Sequence, residues 1–533
     1  MIPTYDLGTA PWIPVHFRDG SDGAVGLRDA LVRAHEIREI ALDNPMETCA
    51  LYRLLLALAV RIFPKTEEPD DWFEYWDAAR FDPTPIDAYF TQWSDRFDLF
   101  HPVRPFGQVR SNVGNGTLEV GLLRLDECGN TSWLFSHLDL KKTATLPPDE
   151  AARGLVASQH AAIGGLLSNP YKAGNRNSPA VGGAIFWMLG ASLYHSLLLN
   201  APPDPHVRMG GHSDADAPSW EQEEPSTPER RPHHGFLDYL TFQHRRITLE
   251  TGERDGHTVV TAILRTGGNA EEPMPLDDPH MAIINGDEKS EPRRYNVQTG
   301  RAVWRDAAVF LTLVSKRGTP PRTFVWATSH LDDLGIERLD VEVFALRTRG
   351  ANDGTIKLWR RERIPLFLNV LADNSRGAKL ELALERADEQ ARNLAWATLI
   401  AAARLRVPGK NYGELSSMEK EDAKKLARSI DTEGRYWSGL ESYFFQLLHD
   451  LAHGADPNSD PDWSTAPINE WTRRIYRTAL GAYDAATRSL DANARQLHAV
   501  AEGRAAIRAT ARFTSKSATS DDTSTNVVME ESV

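Results

Sequence analysis

The chain has 533 residues, of which 41% are hydrophobic, so it is long enough for at least two domains. Its 74 acidic side chains outnumber the 60 basic ones and give a formal net charge of −14. Duplex DNA is bound through basic residues that displace counterions, so this charge excludes a chain that binds DNA over its whole surface. The two cysteines, Cys49 and Cys128, exclude a disulfide framework and a four-cysteine zinc site.

The N-terminal stretch MIPTYDLGTAPWIPV has no basic region followed by an apolar core, so it does not indicate a secretory signal. No stretch reaches the roughly 18 consecutive apolar residues that a membrane span needs. We therefore expect a soluble protein of the reducing cytoplasm with no membrane partner.

The first 64 residues predict two helices. LRDALVRAHEIREIA, residues 27–41, spaces its apolar side chains at helical intervals, which predicts an amphipathic surface helix. NPMETCALYRLLLALAVRIFP, residues 44–64, offers Asn44 as a cap and Pro45 at the first helical position. Its apolar body predicts a buried helix.

Residues 151–203 contain no Asp or Glu, in a chain that is acidic overall. The last part, VGGAIFWMLGASLYHSLLL at 181–199, predicts a buried helix pair, which would exclude charge by itself. Residues 164–178 are too rich in Gly, Asn and Pro for a buried helix and predict an exposed loop. With Lys172 and Arg176, this loop is typical of an anion-binding segment.

Strand patterns begin near residue 242. The stretches RRITLET, HTVVTAIL and AVFLTLV alternate or are β-branched, which predicts strands at 245–251, 257–264 and 308–314. Helical patterns follow strands in the last third of the chain.

Four long amphipathic segments joined by short connections predict a helical bundle at the C-terminal end. The predicted fold class is α+β. A large mixed α/β N-terminal domain covers residues 1–370, a four-helix bundle covers 371–512, and a tail at 513–533 without a core-forming pattern is expected to be disordered.

The doublet His449–Asp450 in LLHDLAHGAD is the sharpest catalytic candidate, because metal-dependent phosphohydrolases use such a pair. An upstream ligand is missing, since no histidine lies between His330 and His449. Helical spacing also places His449 and His453 opposite an apolar stripe, so we expect both to face water. An HD-type phosphohydrolase remains the alternative function.

Other catalytic signatures are absent from the sequence, including the phosphate-binding loop, the nucleophile elbow and the H-E-x-x-H zinc motif. LDDPH, ending at His280, is predicted to be a loop, and His233 and His234 are predicted to face solvent. We therefore expect no active site, no metal and no cofactor.

Five stretches, in order along the chain, resemble the CasA family of large subunits of the type I-E CRISPR surveillance complex Cascade. They are PWIPV (11–15), LYRLLLALAVRIF (51–63), FDLFHPVRPFGQ (97–108), GFLDYLTFQHRRI (235–247) and YWSGLESYFFQLL (436–448). Each stretch alone is weak, but five in the right order are fairly specific. The resemblance extends from about residue 7 to about residue 510.

This resemblance implies a non-catalytic recognition subunit of a crRNA-guided antiviral complex. Such a subunit binds crRNA and other Cascade subunits, and it reads the protospacer-adjacent motif (PAM) of double-stranded DNA through the minor groove. It also helps to open the duplex for R-loop formation and recruits the helicase-nuclease effector.

The resemblance also implies a contact with the 5′ handle of the crRNA. The loop after SWLFSH matches the family segment that touches the handle, so Phe135, Ser136 and His137 become candidates, with Lys141 and Lys142 close by. For Phe135 a place in the core is the alternative interpretation.

A second implied site is the glycine loop that enters the minor groove beside the PAM. It matches Ile163, Gly164 and Gly165, with Lys172 and Arg176 as supporting contacts to phosphate. Without the resemblance, the two glycines would predict only a turn that ends a helix.

A third implied site is the wedge, a hairpin tip that separates the first base pair. It aligns with RGANDGTI and places Asn352, Asp353 and Gly354 at the tip, where the family form has a central glutamine. Asp-Gly is also a strong signal for an ordinary hairpin turn. The family's basic finger has no secure match, and its candidates are Arg265, Asn269 and Lys289.

Overall fold

The computed structural model describes most of the chain. The described residues are 3–63, 69–110, 117–124, 145–164, 177–201, 203, 215–223, 227–272, 276, 278–313, 315–350, 353–454, 466–490 and 493–524. The helices are α1 Leu27–Val32, α2 Pro45–Ile62, α3 Pro69–Ala78, α4 Pro83–Gln92, α5 Pro148–His160, α6 Pro179–Gly182, α7 Leu193–Leu199, α8 Phe236–Thr241, α9 Arg322–His330, α10 Leu368–Ala372, α11 Asn374–Arg406, α12 Ser417–Ser429, α13 Thr432–His453, α14 Ala466–Thr487 and α15 Ala494–Ser524.

The strands of the same residues are β1 Ile13–Phe17, β2 Asp22–Val25, β3 Ile37–Ile40, β4 Leu118–Glu119, β5 Ile185–Leu189, β6 Arg230–Arg231, β7 Arg245–Arg254, β8 His257–Gly267, β9 Ala270–Glu271, β10 Ile283–Ile284, β11 Arg293–Arg294, β12 Gly318–Thr319, β13 Arg338–Gly350 and β14 Asp353–Phe367. The predicted mixture of helix and sheet is therefore confirmed.

The chain divides into two compact units. The first unit comprises Met1–Val303 and Val309–Ala372, and the second comprises Trp304–Ala308 and Asp373–Val533. All of the described strands belong to the first unit.

Two long antiparallel hairpins dominate the sheets of the first unit. β7 and β8 pair from Arg245 opposite Gly267 to Arg254 opposite His257, and β4 adds a short edge. β13 and β14 pair along their whole length, and β5 lies on the other side of β13. The strands predicted at 245–251 and 257–264 are thus confirmed.

Helix α2 is a buried helix of the first unit, as predicted. The Asn44 side chain accepts the N–H groups of Met46 and Glu47 at 3.0 and 3.3 Å, and Pro45 begins the helix. Nearly every residue of α2 is buried. A helix with apolar residues all round has no solvent face, so it must be covered on all sides.

Two predicted helical segments contain strands instead. Residues 27–41 form α1 followed by β3, which pairs with β1, and residues 181–199 contain β5 before α7. β5 is buried on both faces. A strand covered on both faces shows an unbroken apolar run, so its sequence cannot be distinguished from that of a buried helix.

The strand predicted at 308–314 is also wrong. Val303–Val309 form a 3-10 helix, and the described residues that follow are irregular. Phe310 and Leu311 are nevertheless buried, so the apolar run marks burial and not a strand.

The second unit consists mainly of helices. Helix α11 packs against α12, α13, α14 and α15. The second of the four predicted segments divides into α12 and α13, because Asp431 begins a new helix by accepting the N–H of Gly434 at 3.1 Å. The described part of this unit therefore has four long helices and one shorter helix.

The last helix extends beyond the predicted end of the bundle. α15 continues to Ser524, so its helical backbone enters the segment 513–533 for which the sequence pattern predicts disorder. Residues 513–524 are mainly Ser and Thr, with one Ala and one Lys, so local helix propensity does not explain this extension. Residues 525–533 lie outside the described part.

A short segment far from the other residues of the second unit in sequence completes its core. The Trp304 side chain stacks on Phe444 with 4.7 Å between ring centroids and meets Trp437 edge-on at 5.8 Å. The Arg305 guanidinium lies 3.5 Å from the centre of the Trp437 ring.

Among the helices that the structure describes, none has the length and apolar character required to cross a membrane.

Replacing Trp304 by alanine should lower the free energy of unfolding by about 3–5 kcal/mol, because a large buried ring leaves a cavity. Trp304 is 2% exposed, whereas Trp396 is 49% exposed and supplies the matched control, Trp396→Ala. Urea denaturation of the full chain, followed by circular dichroism, measures both variants. Equal losses for the two variants would contradict the packing role of Trp304.

Candidate nucleic-acid interface

The motif GFLDYLTFQHRRI forms α8 and the start of β7, and a buried ion pair lies against it. Arg53 of α2 donates to Asp278 at 2.9 Å, and the side chains are 3% and 0% exposed. The Tyr239 hydroxyl of α8 donates to the same carboxylate at 2.7 Å. Three separate segments of the chain therefore meet at one carboxylate.

Neighbouring charge and burial shift the pKa of the Asp278 carboxylate in opposite directions. Burial alone would raise the pKa of Asp278, but the Arg53 guanidinium and hydrogen bonds, including that of Tyr239, hold it well below its usual range. Asp278 is therefore ionised at neutral pH and neutralises Arg53 inside the unit.

The glycine-loop candidates Ile163 and Gly164 lie at the base of a loop. We define the loop stem as Ala162–Gly164 together with Asn177 and Ser178. The N–H of Gly164 donates to the Asn177 side-chain oxygen at 2.5 Å, and the N–H of Ser178 donates to the Ala162 carbonyl at 2.8 Å. The stem thus fixes the two ends of the segment 165–176, which lies outside the described residues together with Gly165, Lys172 and Arg176.

Arg245, the first residue of β7, holds one side of the loop stem. Its Nη2 donates to the Ile163 carbonyl at 2.6 Å, and its Nη1 donates to the His244 carbonyl at 2.7 Å. Gln159 of α5 makes two hydrogen bonds with the Arg245 backbone, at 2.9 and 2.7 Å. The end of α5, the loop stem and the start of β7 are therefore connected.

Two of the basic-finger candidates lie beside this connection. The N–H of Asn269 donates to the Gln243 carbonyl at 2.9 Å, just before Arg245 in sequence. Arg265 of β8 pairs with Ile247, two residues from Arg245 on β7, and its charge helps to lower the pKa of Arg245. The structure thus brings Ile163, Gly164, Arg265 and Asn269 into one region, whereas the sequence pattern does not connect them.

The loop stem is also linked to the long β13–β14 hairpin. Ser178 leads directly into α6, and the Asn296 side-chain amide donates to both the Val181 carbonyl of α6 and the Leu346 carbonyl of β13, at 3.3 Å each. Asn296 therefore bridges the second side of the stem and the hairpin.

The wedge candidates lie at the end of that hairpin. Gly350 pairs with Asp353, so the two strands continue up to the connection between them. Gly354 belongs to β14, and Asn352 lies outside the described residues. The two strands form a hairpin, as predicted, but Asp353 and Gly354 begin β14 and do not belong to the turn between the strands.

The remaining sequence candidates are separate from this region. Lys289 lies in an exposed turn between β10 and β11, where its N–H donates to Asp287 at 2.8 Å. The crRNA-handle candidates Phe135, Ser136 and His137 fall outside the described residues, as do Lys141 and Lys142.

The HD doublet lies on the outside of α13. The side chains of His449 and Asp450 are 56% and 41% exposed, and the His449 and His453 rings stack at 4.2 Å. The opposite stripe of α13 is buried, as its spacing predicts. In the part of the chain that the structure describes, no group of three or more His, Cys, Asp or Glu residues could hold a metal ion, so the phosphohydrolase alternative gains no support.

The prediction that His233 faces solvent is wrong. Its ring makes a 2.7 Å contact with Glu271, whose side chain is fully buried, and is itself 11% exposed. His280 lies in a loop, as predicted, but it is buried beside Asp278. A polar loop sequence does not reveal that a partner inside the fold satisfies its side chains.

The residues of this region that the sequence pattern missed are Arg245, Gln159 and Asn296. Arg245 belongs to a stretch that already carries the family resemblance, but nothing in that stretch shows that both of its arginines are buried or that Arg245 donates to the Ile163 carbonyl. Gln159 lies on α5 and Asn296 in a loop, and both act on backbone groups, which leave no signature in sequence.

Known proteins share this architecture over nearly the whole chain. The crystal structure of CasA from Thermus thermophilus matches with a TM-score of 0.77 and 28% identity, covering 95% of this chain and 98% of that one. Cse1 from Acidimicrobium ferrooxidans matches with a TM-score of 0.76 and 26% identity over 95% and 97% of the two chains. A chain from a CRISPR RNA-guided surveillance complex has the same fold at 24% identity, with a TM-score of 0.73 over 95% and 99% of the two chains.

These structures define a CRISPR-associated protein of the CasA type. The curated CasA/Cse1 protein of Thermus thermophilus is 29% identical over 511 residues, which cover 94% of this chain and 95% of that protein. The model of the CRISPR-associated protein Cse1 family matches residues 6–482, so the chain belongs to the Cse1 family. The resemblance seen in the sequence is confirmed.

Replacing Asp278 by asparagine should lower the free energy of unfolding by about 3–5 kcal/mol, because Arg53 is left as a buried charge without a counter-ion. The difference in free energy of unfolding between wild type and Asp278→Asn should be largest at pH values above the pKa of Asp278 in the unfolded chain, about 4. It should shrink as the pH falls below that value toward the lowered pKa of Asp278 in the folded chain. Urea denaturation at several pH values measures this difference. Asp287→Asn, in an exposed turn, is the control, and a similar loss for this variant would contradict the prediction.

Proposed function

We propose that this chain is the large subunit of a type I-E crRNA-guided surveillance complex and that it recognises the PAM of duplex DNA without catalysing a reaction. The observation that carries the proposal is membership of the Cse1 family over residues 6–482. Its partners in this proposal are crRNA, other Cascade subunits, double-stranded DNA and a helicase-nuclease effector. The fold shared with a chain of a CRISPR RNA-guided surveillance complex supports the assembly.

The loop stem supports a role in DNA recognition. It lies within a segment that has no carboxylate, in a protein with a net charge of −14, so nearby phosphates meet no local repulsion. The guanidinium groups of Arg245 and Arg265 add positive charge beside the stem. In this proposal Lys172 and Arg176 contact phosphates.

The glycines suit readout of the minor groove. That groove is about 6 Å wide, so small residues and backbone groups approach base edges more closely than large side chains do. Because Asn177 already accepts the N–H of Gly164, we assign Gly164 to support of the loop and Gly165 to the approach. Readout through the minor groove distinguishes A·T from G·C pairs better than it identifies the individual base at each position. We therefore expect a tolerant PAM preference.

The β13–β14 hairpin suits the role of a wedge. Arg361 and Arg363 of β14 both donate to the buried Glu342 of β13, at 2.8 Å each, and these bonds brace the hairpin below its tip. Separating a base step costs a few kcal/mol, which pairing with the guide RNA largely offsets. With Asp353 at the tip, strand separation would depend on the shape of the turn more than on a long polar side chain.

The double variant Gly164→Asp with Gly165→Asp should weaken binding of the assembled complex to PAM-bearing duplex by about tenfold or more, because two carboxylates are placed against phosphates. A filter-binding assay with crRNA-loaded complex measures the affinity. Gly413→Asp with Gly481→Asp adds the same charge at two exposed positions with open space and serves as the control. Gly165→Asp alone tests the approach in case Gly164→Asp affects folding. Wild-type affinity for the double variant would refute the loop assignment.

Replacing Asn352 and Asp353 by alanine, with Gly354 of β14 left unchanged, should slow R-loop formation on linear duplex more than on DNA with a pre-opened bubble. A wedge acts only where base pairs must still be separated. Permanganate footprinting of the opened strand measures both substrates. Asp255→Asn, on the turn of the β7–β8 hairpin, is the control. Equal defects on both DNA substrates would rule out the wedge role.

A further inference from the structure

The loop stem is held by hydrogen bonds from two independent directions. On one side, the Asn177 side chain accepts the N–H of Gly164 at 2.5 Å, and the Ser178 hydroxyl donates to the His160 carbonyl at 2.7 Å. On the other side, Arg245 donates to the Ile163 carbonyl at 2.6 Å. The peptide group between Ile163 and Gly164 is thus fixed at both its carbonyl and its N–H by two different side chains.

Arg245 is unusual for an arginine, because its residue surface is only 3% exposed. Its two short hydrogen bonds to Ile163 and His244 go to neutral carbonyls. Burial, with a contribution from Arg265, lowers its pKa to about 9, so it remains charged near neutral pH. Burying a guanidinium removes it from water at a cost in stability that an apolar side chain would not have.

The backbone of Arg245 is fixed as firmly as its side chain. Gln159, one turn before the stem on α5, accepts the Arg245 N–H at 2.9 Å and donates to its carbonyl at 2.7 Å. Because the guanidinium is planar and rigid, its hydrogen bond to the Ile163 carbonyl places that carbonyl relative to the start of β7. A flexible lysine could donate to one acceptor but could not span both carbonyls in fixed geometry.

We propose that Arg245 is a positioning residue for PAM readout, which sets the direction in which the loop leaves the stem while making no contact with DNA itself. This inference rests on the function proposed above. It also accounts for the neighbouring basic-finger candidates, because the carbonyls of Gln243 and His244 accept the N–H groups of Asn269 and Gly268 at 2.9 and 3.0 Å. One short segment would thus set the relative position of two DNA-contact regions.

A purely structural role makes a different prediction. If Arg245 only stabilised the fold, its replacement would lower the melting temperature and reduce binding of every duplex in the same proportion. If it positions the loop, its replacement should reduce the preference for PAM-bearing over PAM-free duplex. The ratio of the two affinities separates these roles.

The experiment uses the crRNA-loaded complex assembled with wild-type chain or with Arg245→Met, Arg245→Lys or Asn177→Ala. Arg53→Met is the matched control, because Arg53 is equally buried but its ion pair is with Asp278 and not with the stem. Each complex is titrated with two duplexes that share one protospacer, one with the PAM and one without. Thermal melting of each variant is recorded in parallel.

We expect Arg245→Met to lower the affinity ratio about tenfold or more, the scale set by the loss of a hydrogen bond from a charged donor. Arg245→Lys should restore part of the ratio, and Arg53→Met should lower the melting temperature while leaving the ratio near that of wild type. Asn177→Ala acts on the same stem from its other side and should lower the ratio even if Arg245→Met fails to assemble.

Two results would overturn the inference. The first is that both Arg245→Met and Asn177→Ala keep the wild-type ratio of affinities for PAM-bearing and PAM-free duplex. If Arg245→Met does not assemble, a wild-type ratio in Asn177→Ala is sufficient. The other is an equal fall of the ratio in Arg53→Met and Arg245→Met, which would show a general effect of instability. A wild-type complex that binds both duplexes equally would instead refute the proposed function, and is therefore distinguishable from failure of the inference.

Discussion

The first unit depends on one buried ion pair, between Arg53 and Asp278. Helix α2 is buried on all sides, so its arginine must find a counter-charge inside the fold. Asp278 supplies that charge, and Tyr239 of α8 hydrogen-bonds to the same carboxylate. A buried pair of this kind tolerates little displacement, because either ion alone would be costly. It therefore fixes α8 relative to α2, and α8 is followed within four residues by Arg245, which holds the loop stem.

The candidate interface follows the same rule, in which buried polar side chains hold exposed segments in place. Arg245 holds the loop stem, Asn296 links α6 to β13, and Glu342 braces the long hairpin through two arginines. In the proposed function, the segment beyond Gly164 and the tip of the hairpin make the contacts with a partner. Recognition loops on rigid supports are common because the backbone of a loop is exposed and its support determines its aim.

Sequence rules worked where the determining interactions are local. The cap at Asn44, the apolar stripe of α13 and the alternation in β7 and β8 all act within a few residues, and each was predicted. They failed where long-range pairing decides, as in β5, which is a strand because β13 lies beside it. The resemblance pointed to Ile163, Gly164 and the hairpin tip as candidates, but it could not show that Gly164 donates to Asn177. Nor does any local rule reveal that Arg245 points inward, because burial of a charge depends on partners far away in sequence.

The absence of acid from residues 151–203 has a second physical reason besides the repulsion of phosphate. Arg245 is held by neutral carbonyls, at Ile163 and His244. A carboxylate in the adjoining loop would compete for the same guanidinium, and charge-assisted hydrogen bonds are roughly twice as strong as those to neutral acceptors. Such a residue would draw Arg245 away from the Ile163 carbonyl and release one side of the stem. Exclusion of acid thus protects the geometry of the stem as well as its potential, and it begins at residue 151, so it includes the part of α5 in which Gln159 holds Arg245.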